Sequence, residues 1–418
     1  MRTWQYGLLG APLAFLSLPL YVALPRYYAE HYALALSSLG LLLLLTRLLD
    51  ASLDPFIGRW VDRLFAQSTL RAWRVAMVGA IAVGIGFAAL WMPWHMGSTA
   101  LWLWLGAMLV CTYIGFSVVA MIHMTWAARW GGSPQVQAAW VSAREGAALL
   151  GVIAASLLPL WLGYTALSIT LMLLLCIGLL CLKRTAHLHV TSPVATHSLP
   201  PAPPLPRPWQ LPAFNALLVV FLFNGTASAI PATLLPFFVR DTLNAPAWEP
   251  AFLLIYFVAA GVGMPLWLRL IGRWGLARVW MLGMATSVLA FCAVPWLRTG
   301  DTTAFAIVCA LTGLALGADL AVPGALLTHL IHRSGLGQQA EGSFFGWWTS
   351  ANKLNLALAS GLALPLLEWS GYVTARRTDT DQLALALSYG LLPCLFKLVA
   401  LALLWAGARR HPVLKGLS

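Results

Sequence analysis

Apolar residues fall in long blocks along this chain, separated by short polar breaks. A block of this kind marks a bilayer-spanning helix, which uses about 20 residues. Twelve blocks stand out, at 5–25, 36–61, 73–93, 100–126, 140–162, 164–182, 213–239, 248–271, 276–297, 302–331, 344–368 and 382–408. Each is expected to be an α-helix, because a segment surrounded by lipid must satisfy its backbone hydrogen bonds internally. The first block follows a single Arg2 and runs into PRYYAEH rather than a small-residue cleavage site, so it reads as a retained first helix. With their connections the blocks use nearly the whole length and leave no room for a large soluble domain.

Composition agrees, with 60% of the 418 residues hydrophobic and 9% charged, far from a soluble globular balance. The net charge of +12 does not point to nucleic acid, because basic residues in a membrane protein mark the cytoplasmic loops. Arg2, Arg63, Arg71, Arg74, Arg129, Lys183, Arg184, Arg207, Arg269, Arg273, Arg278, Arg333, Arg409, Arg410 and Lys415 fall in breaks, or in the case of Arg269 at a block end, on one side, and Arg26, Arg240, Arg298, Arg376 and Arg377 on the other. Both termini are therefore expected in the cytoplasm. The six cysteines lie inside apolar blocks without CxxC spacing and read as small buried residues, neither disulfides nor metal ligands.

The sixth and seventh blocks are joined by KRTAHLHVTSPVATHSLPPAPPLPRPWQLP, too rich in proline for a helix and too poor in apolar surface to fold alone. The expected organisation is an N-terminal six-helix half over 1–183, a cytoplasmic linker over 184–212 and a C-terminal six-helix half over 213–418. GRWVDR after the second block is echoed by GRWG after the eighth, the corresponding place in the second half. An all-α membrane protein of twelve transmembrane helices in two pseudo-symmetric six-helix halves is the major facilitator fold, a secondary transporter whose halves rock about a central site.

Ionisable residues at membrane depth cost at least ~2.5 kcal/mol each on insertion scales and usually face a cavity or a partner. The segment TRLLDASLDPFIGRWVDR carries Arg47, Asp50 and Asp54 on one helix face. Two carboxylates this close must share a proton, bind a cation or pair with a base, which is what cation coupling needs; a static salt bridge to Arg47 is the plainer alternative. Gly58, Asp62 and Arg63 follow at the cytoplasmic end and, with Arg47, read as a gate or interhelical latch. Lys353 in the eleventh span needs a negative partner, for which Asp50 and Asp54 are candidates.

In the fifth span, Arg144 and Glu145 point about 100° apart on a helix and are expected to serve different contacts, with Arg144 gripping hydroxyls or a carboxylate of the substrate. Asp319 in the tenth span is a second candidate protonation site without a partner visible in the sequence. His329 and His332 lie three apart but lack further ligands, so they read as a helix end or latch and no metal site is expected. Trp347 and Trp348 could stack on a sugar ring or an apolar substrate, with packing the plainer reading. HEXXH, GxSxG and GxxxxGK[ST] are absent, so neither hydrolysis nor ATP drive is indicated and the chain does not read as an enzyme.

RLLDASLDPFIGRWVDR is similar to the signature of the glycoside, pentoside and hexuronide cation symporters, the melibiose permease-like branch of the major facilitator superfamily. YG near the start, VSAREGAALLG, LLPFFVRDTLNAP, IYFVAAGVGMPLW and EGSFFGWWTSANKLNLALASGLALPLL agree with it along most of the chain. The resemblance implies that Asp50 and Asp54 are the cation-site aspartates, Lys353 the coupling lysine and Arg144 the sugar-contacting arginine. Ser117, Tyr113, Trp347 and Asn352 complete the candidate substrate site. The chain has Pro12 and Ser117 where the family has sugar-binding aspartates, and His329 and His332 where it has paired aspartates. Leu53 replaces a polar residue of the sodium site and Ile114 an oxygen-bearing neighbour. Sodium is a hard ion that needs several oxygens, whereas a proton needs one carboxylate, so proton coupling is expected over sodium, with no other cofactor.

The function expected is cation-coupled symport of a small solute, a sugar or glycoside, by alternating access in a bacterial-type inner membrane. The protein is expected to be a monomer whose other partner is membrane lipid. The competing readings are a carrier of lipid or another amphiphile on the same fold, and a non-transporting membrane scaffold or sensor.

Overall fold

The computed structural model describes residues 3–17, 19–32, 34–93, 97–185, 207–369 and 385–415. Among the described residues helix is the only regular structure. The first expected span is not a single helix. It divides into α1 (Thr3–Gly7), α2 (Gly10–Phe15), a π-helical turn at Pro19–Ala23 and α3 (Leu24–Tyr32). Pro12, Pro19 and Pro25 account for the interruptions, since each lacks an N–H and its ring crowds the carbonyl four residues back.

The following elements are α4 (Leu36–Gln67), α5 (Thr69–Trp91), α6 (Ser98–Trp130) and α7 (Pro134–Thr185). Ser68 caps α5, its side chain accepting from the Leu70 N–H at 3.1 Å. Inside α7, Gly163 takes φ 73° and ψ −179°, a backbone conformation that glycine reaches without a Cβ penalty, and it breaks the element between the expected fifth and sixth spans. Then come α8 (Pro212–Phe237), α9 (Glu249–Trp274), α10 (Leu276–Phe291), α11 (Thr302–Arg333), α12 (Glu341–Trp369) and α13 (Leu392–Arg410). Among the described residues nine helical stretches are long and apolar enough to cross a membrane. Of the Pro-rich tract expected to be a linker, residues 186–206 lie outside the described residues, as do residues 370–384 with Arg376 and Arg377.

The chain forms two compact units. The first comprises Met1–Gly131, Ala139–Arg207 and Ser334–Ser350; the second comprises Gly132–Ala138, Pro208–Arg333 and Ala351–Ser418. The first ten residues of α12 thus belong to the first unit.

In the first unit α6 is flanked by α4 and α5. The Tyr28 hydroxyl donates to the Leu90 carbonyl at 2.9 Å and ties α3 to α5, beside Trp91 and Tyr164 stacked at 4.1 Å. In the second unit α11 packs against α9 and α10, and α13 against α8 and α10. Its core holds Phe238 stacked on Tyr389 at 4.4 Å and Phe252 edge-on to Phe305 at 4.8 Å. These large apolar faces hold the few polar side chains of each unit in fixed positions.

Candidate functional site

Asp50 and Asp54 lie one turn apart on α4, and both are buried, Asp54 completely. The Ser117 hydroxyl, itself buried on α6, donates to Asp50 Oδ1 at 2.7 Å. Tyr113 is buried one turn earlier on α6, and Arg47 is half-buried one turn before Asp50. Pro55, directly after Asp54, has no N–H to give the carbonyl of Ala51, so α4 leaves a backbone acceptor between the two carboxylates.

Beyond Asp54, α4 meets the start of α12 backbone to backbone. A Cβ on Gly58 would collide with the Gly342 carbonyl, and one on Gly346 would lie 2.7 Å from the Asp54 carbonyl oxygen. Only glycine permits this approach. It lets Asp62 reach the N-terminus of α12, where Oδ1 accepts from the Gly342 N–H at 2.6 Å and Oδ2 from the Ser343 N–H at 2.7 Å and its hydroxyl at 2.6 Å. These amides have no acceptor inside the helix, and a carboxylate is favoured at the positive end of its dipole. Arg129 adds an ion pair to the buried Glu341 at 3.6 Å. Arg63, grouped with Asp62 in the sequence, is instead exposed and, among the described residues, makes no ion pair or hydrogen bond. The next residue on a helix points about 100° away, so it cannot share the Asp62 contact.

Arg144 departs from the expectation for adjacent helical residues. Its Nε and Nη2 donate to Glu145 Oε1 at 2.9 and 2.6 Å. The Cα–Cβ directions do diverge, but a long guanidinium folds back across the gap, so the two residues serve one contact after all. Tyr6 faces the same guanidinium, and Gly10 brings α2 against the Arg144 backbone.

No sequence motif singles out His123 or Glu341, and Arg129 reads in the sequence only as a cytoplasmic charge. His123 is fully buried on α6 and paired reciprocally with α1: the Tyr6 hydroxyl donates to the His123 carbonyl at 3.1 Å, and His123 Nε2 donates to the Tyr6 carbonyl at 2.9 Å. Trp130 and Trp140 close edge-on around Tyr6. A histidine alone in an apolar block was the available signal.

On α12, Trp348 is buried and Trp347 exposed. In the second unit Lys353 is half-buried and Asn352 exposed. Asn355 is the buried amide of this helix instead, accepting from the Thr226 hydroxyl at 3.4 Å.

The second unit also supplies the partner that the sequence did not show for Asp319. Lys397 on α13 donates to Asp319 Oδ2 at 2.7 Å and to Asn224 Oδ1 at 2.9 Å. Asn224 Nδ2 and Trp280 Nε1 donate to Asp319 Oδ1 at 3.1 and 2.8 Å, and the Ser228 hydroxyl to Oδ2 at 3.4 Å. Asp319, Lys397 and Ser228 line a cavity of about 100 Å³ whose other walls are mainly aromatic and aliphatic, among them Phe252, Tyr256 and Tyr389. Lys397 lies inside the last apolar block, 78 residues from Asp319, and no local spacing links them.

The profile of the family described as MFS/sugar transport protein matches residues 5–406 of this chain. The glucuronide carrier protein homolog of Escherichia coli K12 is 23% identical over 408 residues, covering 91% of this chain and 86% of that protein. Among solved structures, a bacterial homologue of the iron transporter ferroportin in its outward-facing state superposes with a TM-score of 0.71 at 16% identity, covering 98% of this chain and all of the other. A variant of the Escherichia coli fucose:proton symporter gives 0.65 at 14% identity, over 95% and 97% of the two chains. At these identities the structural likeness bears on the fold alone, which is the one expected from the sequence.

Proposed function

This chain belongs to the MFS/sugar transport protein family, and from that premise we propose that it is a proton-coupled symporter of a sugar or glycoside, working by alternating access. It is an integral membrane protein and not an enzyme. The observation that carries the coupling is the pair of buried carboxylates on α4, Asp50 held by Ser117 and Asp54 wholly enclosed. Ionised together in a low-dielectric surround they repel, and a bound proton relieves the repulsion. Leu53 and Ile114, where oxygens would complete a sodium shell, support a proton over sodium.

In this reading the solute binds near Arg144, whose guanidinium offers several donors to hydroxyls, and Ser117 connects α6 to Asp50, one of the two carboxylates that share the proton. Coupling follows when solute and proton favour the same conformation. The Asp62 contact to the first turn of α12 serves as a latch, and Lys353 keeps the coupling role that the family resemblance gives it. The protein works as a monomer in a bacterial-type inner membrane with both termini in the cytoplasm.

Reconstitution into liposomes tests this. Sugar uptake driven by a pH gradient, absent with a sodium gradient alone and lost in Asp54→Asn, is the expected result. Concentrative uptake that survives Asp54→Asn overturns the coupling role. Movement of a lipid-like compound with no sugar transported keeps the fold and overturns the substrate class.

A further inference from the structure

We infer that the second unit carries a proton-binding site of its own, in which Asp319 takes up a proton beside Lys397 at the wall of the cavity. The inference does not rest on the Asp50 and Asp54 pair. The side chains of Lys397 and Asp319 are 4% and 10% exposed, on helices apolar enough to cross a membrane. A buried ion pair is a weak stabiliser, since well-packed apolar residues of similar volume often do as well or better. Structural need alone does not account for two charges here.

Three features fit proton uptake better than a static bridge. First, the pair is not sealed by packing: it opens on a cavity of about 100 Å³, and a water needs only ~10–15 Å³ of such space, so a short water chain can bring a proton to the carboxylate. Second, the two carboxylate oxygens differ. Oδ1 faces Trp280 Nε1 and Asn224 Nδ2, which can only donate. Oδ2 faces Lys397 and the Ser228 hydroxyl, and a hydroxyl can turn and accept. Third, Asn224 holds both partners, accepting from Lys397 and donating to Asp319, so neither charge is released into the apolar core when their mutual attraction falls.

The step is a simple proton transfer. A hydronium ion in the cavity gives its proton to Asp319 Oδ2 and leaves as water. The new O–H donates to Ser228 Oγ, Lys397 stays an ammonium on Asn224 Oδ1, and the cluster gains one positive charge. The titratable groups facing this carboxyl from the packed elements are Lys397 on α13 and Tyr256 on α9. Cys309 on α11 itself and Tyr389 lie farther along the same cavity. Phenol and thiol are neutral over the ordinary pH range, which leaves the Asp319 and Lys397 pair as the place where charge can change, and the carboxyl band below reads its acidic member.

Infrared difference spectra of the purified protein in lipid, between acidic and alkaline buffer and with no solute present, test the site. Asp319→Asn gives the cluster the net charge of its protonated state, and the working variant is the charge-balanced pair Asp319→Asn with Lys397→Met, which removes the carboxyl and keeps the cluster neutral. The protonated-carboxyl band of the native protein is expected to lose the amplitude of one carboxyl per chain in the double variant and to keep that component in Asp54→Asn. Trp280→Phe, which removes one donor from Oδ1 and leaves both charges, is expected to move the frequency of that same component. A double variant with an undiminished band, or a component unmoved by Trp280→Phe, overturns the site. Neither measurement uses transport, so failure of the symport reading would register separately, as uptake that survives Asp54→Asn.

Discussion

Replacing Asp62 with Ala removes three short hydrogen bonds at once, from the Gly342 and Ser343 amides and the Ser343 hydroxyl. Hydrogen bonds to a charged group contribute about 1.5–3 kcal/mol each. The hydroxyl can rotate to another acceptor, but the two amides stand in the first turn of α12, where the helix offers them none. A loss of about 2 kcal/mol per amide follows, and at ~1.4 kcal/mol per factor of ten their hydrogen exchange should quicken roughly thirtyfold, since exchange reports local opening free energy. The assay is hydrogen–deuterium exchange by mass spectrometry on peptides covering the start of α12. Ser343→Ala, which deletes only the hydroxyl, should change those amides by less than about threefold. Unaltered exchange at Gly342 and Ser343 in Asp62→Ala would refute the capping argument and with it the latch.

Two further substitutions test the packing and the substrate contact. Gly58→Ala places a methyl on the Gly342 carbonyl and should destabilise by about 1–3 kcal/mol, whereas Gly40→Ala on the same helix enters open space and should stabilise by up to ~1 kcal/mol through helix propensity; thermal unfolding in detergent should give shifts of opposite sign, and equal shifts would be the contrary result. Arg144→Lys cannot reproduce two donors to Glu145 Oε1 and should lower kcat/KM for solute uptake at least ~10-fold without loss of fold; unchanged uptake would remove Arg144 from the substrate site.

What the sequence made legible was what depends on neighbours along one helix. Asp50 and Asp54 share a face of α4 because four residues make about one turn, and Gly163 breaks α7 where the apolar blocks pause. The failures have physical reasons too. Pro12, Pro19 and Pro25 were in plain view, but an apolar run reads as a span whether or not its backbone can stay helical, and here it divides. Cβ directions on a helix set Arg144 and Glu145 apart, but the reach of a guanidinium brings their charged ends together. Lys397 stands in the last apolar block with no local sign of its role, because its partners Asp319 and Asn224 lie 78 and 173 residues away, and tertiary proximity of that kind leaves no local pattern.

The mutual grip of Tyr6 and His123 bears on how the chain is made. Its two halves are separated by 117 residues, so at ~5–20 residues per second of synthesis the ribosome needs roughly 6–25 s after Tyr6 before His123 exists. During that interval the Tyr6 end of the proline-broken opening segment lacks this contact, while its far end can already be tied by Tyr28 to Leu90 on α5. A nascent chain halted between residues 91 and 122 should leave the Tyr6 end open to chemical labelling, and one halted well beyond α6 should not.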